Sequence, residues 1–268
     1  MNAPCWLLVD VGNTHTVAAL ARPDAKEGEF LRTIRFRTDT QATADEYRQL
    51  VLQLLVTPQD AMAQGQASLP PISRMIVSSV VPILEPVIRE AASGMSILFV
   101  HKDLKSGYAL DGLPHPEQLG ADRLANIAGA LALAKPPFII VDAGTATTFC
   151  ALDSNARYLG GAITPGLEIS WRALAARAAK LFSVPLVPPP SVLGNTTETQ
   201  IQSGVLHGYE ALIEGMCERL AREAGAALKD ATWFATGGCI HYLKLAAKFR
   251  HEPNLTLIGL QRLGRQNG

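Results

Sequence analysis

Residues Leu7–Thr16 read LLVDVGNTHT, and residues Ile139–Thr148 read IIVDAGTATT. Each is an apolar run fit for a buried strand, ended by Asp-x-Gly and a cluster of small hydroxyl residues. A glycine directly after a strand lets backbone N–H groups approach a ligand closely. Asn13, Thr14 and Thr16 add side-chain donors at the first turn, and Thr145, Thr147 and Thr148 at the second. Donor-rich turns of this kind cradle phosphate oxygens. An aspartate beside a phosphate is repulsive unless a cation intervenes. Asp10 and Asp142 therefore imply cations held between carboxylate and phosphate, as Mg²⁺ is usually held. Either turn alone reads better as an ordinary strand end, with the aspartate bonding nearby N–H groups. The repetition, with a Gly237-Gly238 pair able to admit a base or ribose, points to nucleotide binding.

The pattern around the two turns is also repeated. Trp6–Val9, Val17–Ala21 and Leu31–Thr38 read as three strands in meander order. Thr43-Ala-Asp-Glu46 has capping-box spacing and opens a helix with Tyr47, Leu50, Val51, Leu54 and Leu55 on one face. Residues 57–71 read as a surface connection. Arg74–Val81 and Ser96–Val100 read as strands around a helix that begins near Pro82. In the second half, Asp122–Ala134 is helical and Phe138–Val141 is a strand. Thr148–Leu152 and Tyr158–Ile163 form a hairpin about Asp153-Ser-Asn155. One helix carries Leu167, Trp171, Leu174, Ala175, Ala178 and Leu181; another carries Leu206, Tyr209, Ile213, Met216, Cys217 and Leu220. VPLVPPPSVLGN between them is an extended connection. Thr232–Ala235 is a short strand, and Leu255–Ile258 is expected to be the last one. Both halves thus run strand, Asp-x-Gly turn, hairpin, helices. A degenerate duplication follows, with two related lobes presenting their turns to one cleft.

Composition narrows the function. At 268 residues a sizeable core can form, and 24 Lys+Arg balance 24 Asp+Glu. That balance argues against nucleic acid or a membrane surface as partner. No apolar run approaches the roughly 18 residues of a membrane span. The N-terminal run, interrupted by Asp10, is too short for a signal peptide. Cys5, Cys150, Cys217 and Cys239 have no metal-ligand spacing and read as buried thiols of a cytoplasmic protein.

The chain resembles the type III pantothenate kinases, a family of the actin/hexokinase/Hsp70-like superfamily. The resemblance rests on LLVDVGNT, Thr43-x-Asp-Glu-Tyr47, Ser78-Ser-Val-Val-Pro82, Leu119-Gly-Ala-Asp-Arg123, VDAGTATT, Gly160-Gly-Ala-Ile-Thr-Pro-Gly166 and Thr236-Gly-Gly238. DxGNT marks only the superfamily, whereas its combination with GADR and GGAITPG is specific. The fold implied is α/β, two duplicated actin/ribonuclease-H-like lobes, each a mixed sheet flanked by helices, with the active site in the cleft. Residues 1–117 would form the first lobe. Residues 118–268 would form the second, with the second phosphate loop, the adenosine motif and the dimer interface.

The resemblance further implies roles. Asp10, Val11, Gly12, Asn13, Thr14, His15, Thr16 and Val17 would contact ATP, joined by Thr145, with Asp10 also holding Mg²⁺ or another divalent ion. Asp142 would bind a monovalent cation, K⁺ or NH₄⁺. Asp122 would be the catalytic base for the pantothenate hydroxyl. Its place in a first helical turn would keep it ionised, or it simply complements the helix N-terminus. Tyr108, Gly120, Ala121, Asp122, Arg123 and Thr197 would bind pantothenate. Arg123 suits a carboxylate, though pairing with a neighbouring acid is an equal alternative. Two departures stand out. His115-Pro116 replaces Asn-Pro, and the Asn-Thr pair falls at Asn195-Thr196, so Thr196 competes with Thr197. A homodimer and entry into coenzyme A synthesis are implied as well. A regulatory nucleotide-binding protein without turnover is the alternative, opposed by the presence of Asp10, Asp122 and Asp142.

Overall fold

A computed structural model describes residues 4–55, 71–177 and 184–268. The chain divides into two compact units. Unit 1 comprises residues up to Gly107 with His115–Leu133 and Asn254–Gly268; unit 2 comprises Tyr108–Pro114 and Ala134–Pro253.

Unit 1 is built on β1 (Cys5–Val11), β2 (His15–Ala21), β3 (Arg32–Arg37), β4 (Ile72–Ser79) and β5 (Ser96–Phe99), in the order β3-β2-β1-β4-β5. The first three strands pair antiparallel, and β4 and β5 continue in parallel. Side chains alternate across a strand, so the sheet has two apolar faces. Leu7, Val9 and Val11 pack with Tyr47 and Val51 of α1 (Ala44–Leu55) and with Ile88 of α2 (Glu85–Ala91). Thr43 caps α1 as its spacing predicts: the Glu46 N–H donates to Thr43 Oγ1 at 3.3 Å, and the Thr43 N–H to Glu46 Oε2 at 2.9 Å. The connection expected over 57–71 lies outside the described residues except for Pro71. So do the side chains of Leu54, Leu55, Ala178 and Leu181.

Unit 2 repeats the plan with β6 (Phe138–Ala143), β7 (Ala146–Leu152), β8 (Tyr158–Pro165), β9 (Thr232–Thr236) and β10 (Phe249–His251), in the order β10-β9-β6-β7-β8. Counted from the first strand of each unit, this is the same order with the same directions. The duplication read from the two turns is therefore real at the level of topology. The long helix α5 (Thr197–Ala224) lays Leu206, Tyr209, Ile213 and Cys217 against Ile139, Val141, Phe149 and Ala235. The Leu206–Leu220 stripe is mainly core. All four cysteines are buried and none is in a disulfide, and burial pushes the Cys217 thiol up to about 12.

Two expectations need correction. Leu255–Ile258 is not a strand but the start of α6 (Leu255–Gln266). Leu255, Ile258 and Leu263 recur at helical rather than alternating spacing, and β10, which ends the second sheet, lies just before. The helix packs on α3 (Ala121–Leu133) because Gly129 and Gly259 leave room for its backbone: a Cβ on either would strike a carbonyl of the other helix. The boundary expected at 117/118 also differs from the compact units. Both α3 and α6 belong to unit 1, where Trp6 and Ile76 of the first sheet lie closest to Gly264 of α6.

Candidate active site

The first turn joins β1 to β2 through Gly12, Asn13 and Thr14. The Gly12 N–H donates to His15 O at 3.1 Å, and Asp10 lies opposite Val17 on one side and Ser78 on the other. Asn13 and Thr14 are exposed, whereas Val11 and Thr16 are buried. Asp10, Gly12, His15 and Val17 are partly exposed. His15 Nδ1 lies 3.1 Å from an Arg35 guanidinium nitrogen, so a cationic side chain flanks the turn.

Asp122 sits in the first turn of α3. One carboxylate oxygen accepts the Arg123 N–H at 2.7 Å. Burial pushes the Asp122 carboxyl above the ordinary aspartate range, opposed by its backbone N–H partners and by the Arg123 guanidinium. Burial and the backbone N–H bonds of the first helical turn thus act on the carboxylate in opposite directions. A Cβ at Gly120 would lie 2.5 Å from Asp122 Oδ1 and 3.6 Å from Val80 Cγ1. Val80 in turn donates its N–H to Val11 O at 3.0 Å. Through Val80, the Gly120–Arg123 segment adjoins the end of β1. Unit 1 thus brings Asp10–Val17 and Gly120–Arg123, Ala121 included, to neighbouring places.

Unit 2 holds the other expected residues. Asp142, next to last in β6, lies opposite Thr236 of β9. Gly237 follows with φ +97°, and a Cβ there would strike Asp142 Oδ1 and the Ala143 backbone. The glycine motif and the aspartate thus form one corner. Thr145 is exposed at the turn, while Thr147 is buried with its hydroxyl bonded to the Tyr209 hydroxyl. Tyr108, partly buried, precedes Ala109, whose carbonyl accepts the Tyr158 N–H at 2.9 Å. Thr196 caps α5, accepting the Thr199 N–H at 3.2 Å and donating its own N–H to Thr199 Oγ1 at 3.0 Å. Thr197 instead lines an apolar groove of about 680 Å³ between α4 (Leu167–Arg177) and α5. His115 is exposed and pairs with Glu117 at 3.2 Å, a surface role.

Two residues at these turns escaped the sequence reading, Thr38 and Tyr209, and Val80 entered it only as part of the Ser78–Pro82 motif. Thr38 belongs to no motif, and Tyr209 passes as an ordinary member of a helical stripe. Only the folded turns make them neighbours of Gly12, Thr147 and Gly120.

Two mixed sheets of identical strand order, each with a glycine turn after its first strand, define the actin/hexokinase-like ATPase fold. A solved structure of an ethanolamine utilization protein from Carboxydothermus hydrogenoformans shares it, with TM-score 0.56, 13% identity, and coverage of 98% of this chain and 91% of that one. A family model described as type III pantothenate kinase matches residues 6–219. A type III pantothenate kinase of Bacillus cytotoxicus is 37% identical, spanning 97% of this chain and 95% of that relative. One from Streptomyces griseus is 36% identical, spanning 97% and 98%. The chain belongs to the type III pantothenate kinase family.

Proposed function

We propose that Asp122 is the general base of this kinase, and that the pantothenate hydroxyl it orients attacks the γ-phosphorus of ATP. The new O–P bond forms as the bond to the β-phosphate oxygen breaks. ADP leaves, the hydroxyl proton passes to Asp122, and 4′-phosphopantothenate results, the first intermediate toward coenzyme A. Phosphoryl transfer of this kind is catalysed mainly by positioning and charge stabilisation. The observation that carries the reading is the Asp122 carboxylate fixed at 2.7 Å by the Arg123 N–H beside the end of β1. Its raised proton affinity suits a group that must accept a proton late.

Asn13 and Thr14 with the backbone of Asp10–Val17 would bind the ATP phosphates, and Thr145 would add a donor. Val11 and Thr16, both buried, would act through their backbone. Asp10 would hold Mg²⁺ and Asp142 K⁺ or NH₄⁺. No group of three acidic, histidine or cysteine side chains forms a metal site among the described residues. Nucleotide oxygens and water would complete the coordination, the usual arrangement for Mg²⁺ at phosphates. When bound, the ions would neutralise the phosphate charge. Arg123 would take the pantothenate carboxylate, with Tyr108, Gly120, Ala121 and Thr197 around the substrate. Thr197 is favoured over Thr196, whose hydroxyl caps α5.

Two copies would associate through the α4–α5 face. Ile169 and Leu174 are 47% and 41% exposed there. Gly204 and Gly208 of α5 leave the groove floor open. Four buried cysteines outside any disulfide suit a reducing cytoplasm.

The test is ADP release from Mg-ATP with and without pantothenate, in sodium buffer and again with potassium or ammonium. Pantothenate-dependent release that needs the added ion supports the reading. Release indifferent to pantothenate overturns the substrate assignment, and release indifferent to the ion overturns the role given to Asp142.

A further inference from the structure

Thr38, just beyond β3, makes three contacts with the first turn. Its N–H donates to Thr14 O at 3.0 Å. Its hydroxyl donates to Gly12 O at 2.7 Å and lies 3.0 Å from the Thr16 hydroxyl. A threonine hydroxyl has one proton. Thr38 gives that proton to Gly12, so Thr16 must be the donor in the pair. The direction is thereby fixed: Thr16 to Thr38 to Gly12.

Thr16 retains lone pairs to accept a further bond. The Tyr47 hydroxyl faces Thr16 and Asp10. Tyr47 is 3% exposed, and its hydroxyl has no hydrogen-bond partner within bonding geometry. An unmade bond on a buried hydroxyl is costly, and Thr16 is the acceptor in front of it. Tyr47 lies on the sheet face that Thr16 shares with Val11 and Phe36, and can head the same chain from there.

Unit 2 contains a counterpart. Thr16 lies across the ladder from Val11, and Thr147 lies likewise across from Ala143. The Tyr209 hydroxyl donates to Pro165 O at 3.1 Å, so the buried Thr147 hydroxyl donates to Tyr209. Each duplicated turn is thus followed by a buried threonine whose hydroxyl is hydrogen-bonded, while Thr14 and Thr145 at the tips are exposed.

We propose that Thr38 is a positioning residue for nucleotide binding, holding the Gly12–Thr14 backbone in its phosphate-receiving shape through the directed chain Thr16–Thr38–Gly12, with Tyr47 as the remote donor. Thr38 itself touches no substrate. The proposal rests on the phosphate role given to this turn.

The experiment measures Mg-ATP binding, KM for ATP and for pantothenate, kcat and thermal stability in wild type, Thr38→Val, Thr38→Ser and Tyr47→Phe. Thr38→Val keeps the shape and removes the hydroxyl. It should weaken Mg-ATP binding and raise KM for ATP about tenfold while KM for pantothenate holds. Thr38→Ser should restore both, because it returns the hydroxyl. Tyr47→Phe should raise KM for ATP by about threefold, and it serves if Thr38→Val folds poorly. Unchanged ATP binding and KM in folded Thr38→Val and Tyr47→Phe overturn the proposal. So does an equal rise of both KM values, which is the mark of general loosening. A wild type that binds no Mg-ATP overturns the phosphate role of the turn, and the proposal with it.

Discussion

The Asp122 carboxylate occupies space that a side chain at Gly120 would need, since a Cβ there would begin 2.5 Å from Asp122 Oδ1. The glycine of the GADR segment is thus a steric condition on the proposed base two residues later. Gly120→Ala should push the carboxylate off its Arg123 N–H. A displacement of about 1 Å can slow a reaction about 10²-fold. Steady-state kinetics should find kcat reduced by that order, with KM for ATP little changed.

The raised proton affinity of Asp122 makes a prediction about stability. Its folded-state pKa lies above the unfolded value, so the folded state holds the proton more tightly. The stabilisation is complete below the unfolded pKa of about 3.9 and is lost as pH rises through the folded pKa. At neutral pH the ionised carboxylate opposes folding. Asp122→Asn should therefore unfold at an equal or higher temperature than wild type at pH 7. That advantage should vanish on acidification through the aspartate range. Melting curves of both proteins across pH check it.

Gly237 is held at φ +97° with Asp142 directly beside it. An alanine would be strained in the backbone, by about 1–3 kcal/mol, and would press on the carboxylate. Gly237→Ala should lower the melting temperature by several degrees and raise the potassium concentration needed for half-maximal turnover. A melting curve and a potassium titration measure the two effects separately.

Gly204 and Gly208 lie one turn apart on the exposed face of α5, and a Cβ on either meets nothing within 4 Å among the described residues. In an isolated helix, alanine at such a site would stabilise by about 0.5–1 kcal/mol. If a second copy packs against these glycines, alanine would weaken that contact instead. The double variant Gly204→Ala, Gly208→Ala should dissociate at higher protein concentration than wild type in sedimentation equilibrium. Unaltered association with a raised melting temperature would remove this face from the interface.

Much of this was legible in sequence because short-range chemistry wrote it there. The two Asp-x-Gly turns, the Thr43–Glu46 capping box and the alternating strands appear where local pattern places them. The C-terminal segment was misread because LTLI, taken alone, fits a strand as well as a helix. Only Ile258, Leu263 and the approach to Gly129 decide it, and that approach spans more than a hundred residues. For the same reason the division at 117/118 missed that α3 and α6 join unit 1. Within the site, exposure sorted residues that the motif treats alike. Thr14 and Thr145 are exposed, while Thr16 and Thr147 are buried beneath them. Thr38 was invisible, because its partners are set by strand pairing rather than by spacing.

The most direct test of Asp122 as base is turnover by Asp122→Asn alongside its Mg-ATP affinity. Loss of a positioned base typically slows a reaction by about 10²–10⁴-fold. Pantothenate-dependent ADP release should fall by that much while Mg-ATP binding stays near wild type. Near-wild-type turnover by the folded variant would contradict the assignment and send the search for the base elsewhere in the chain.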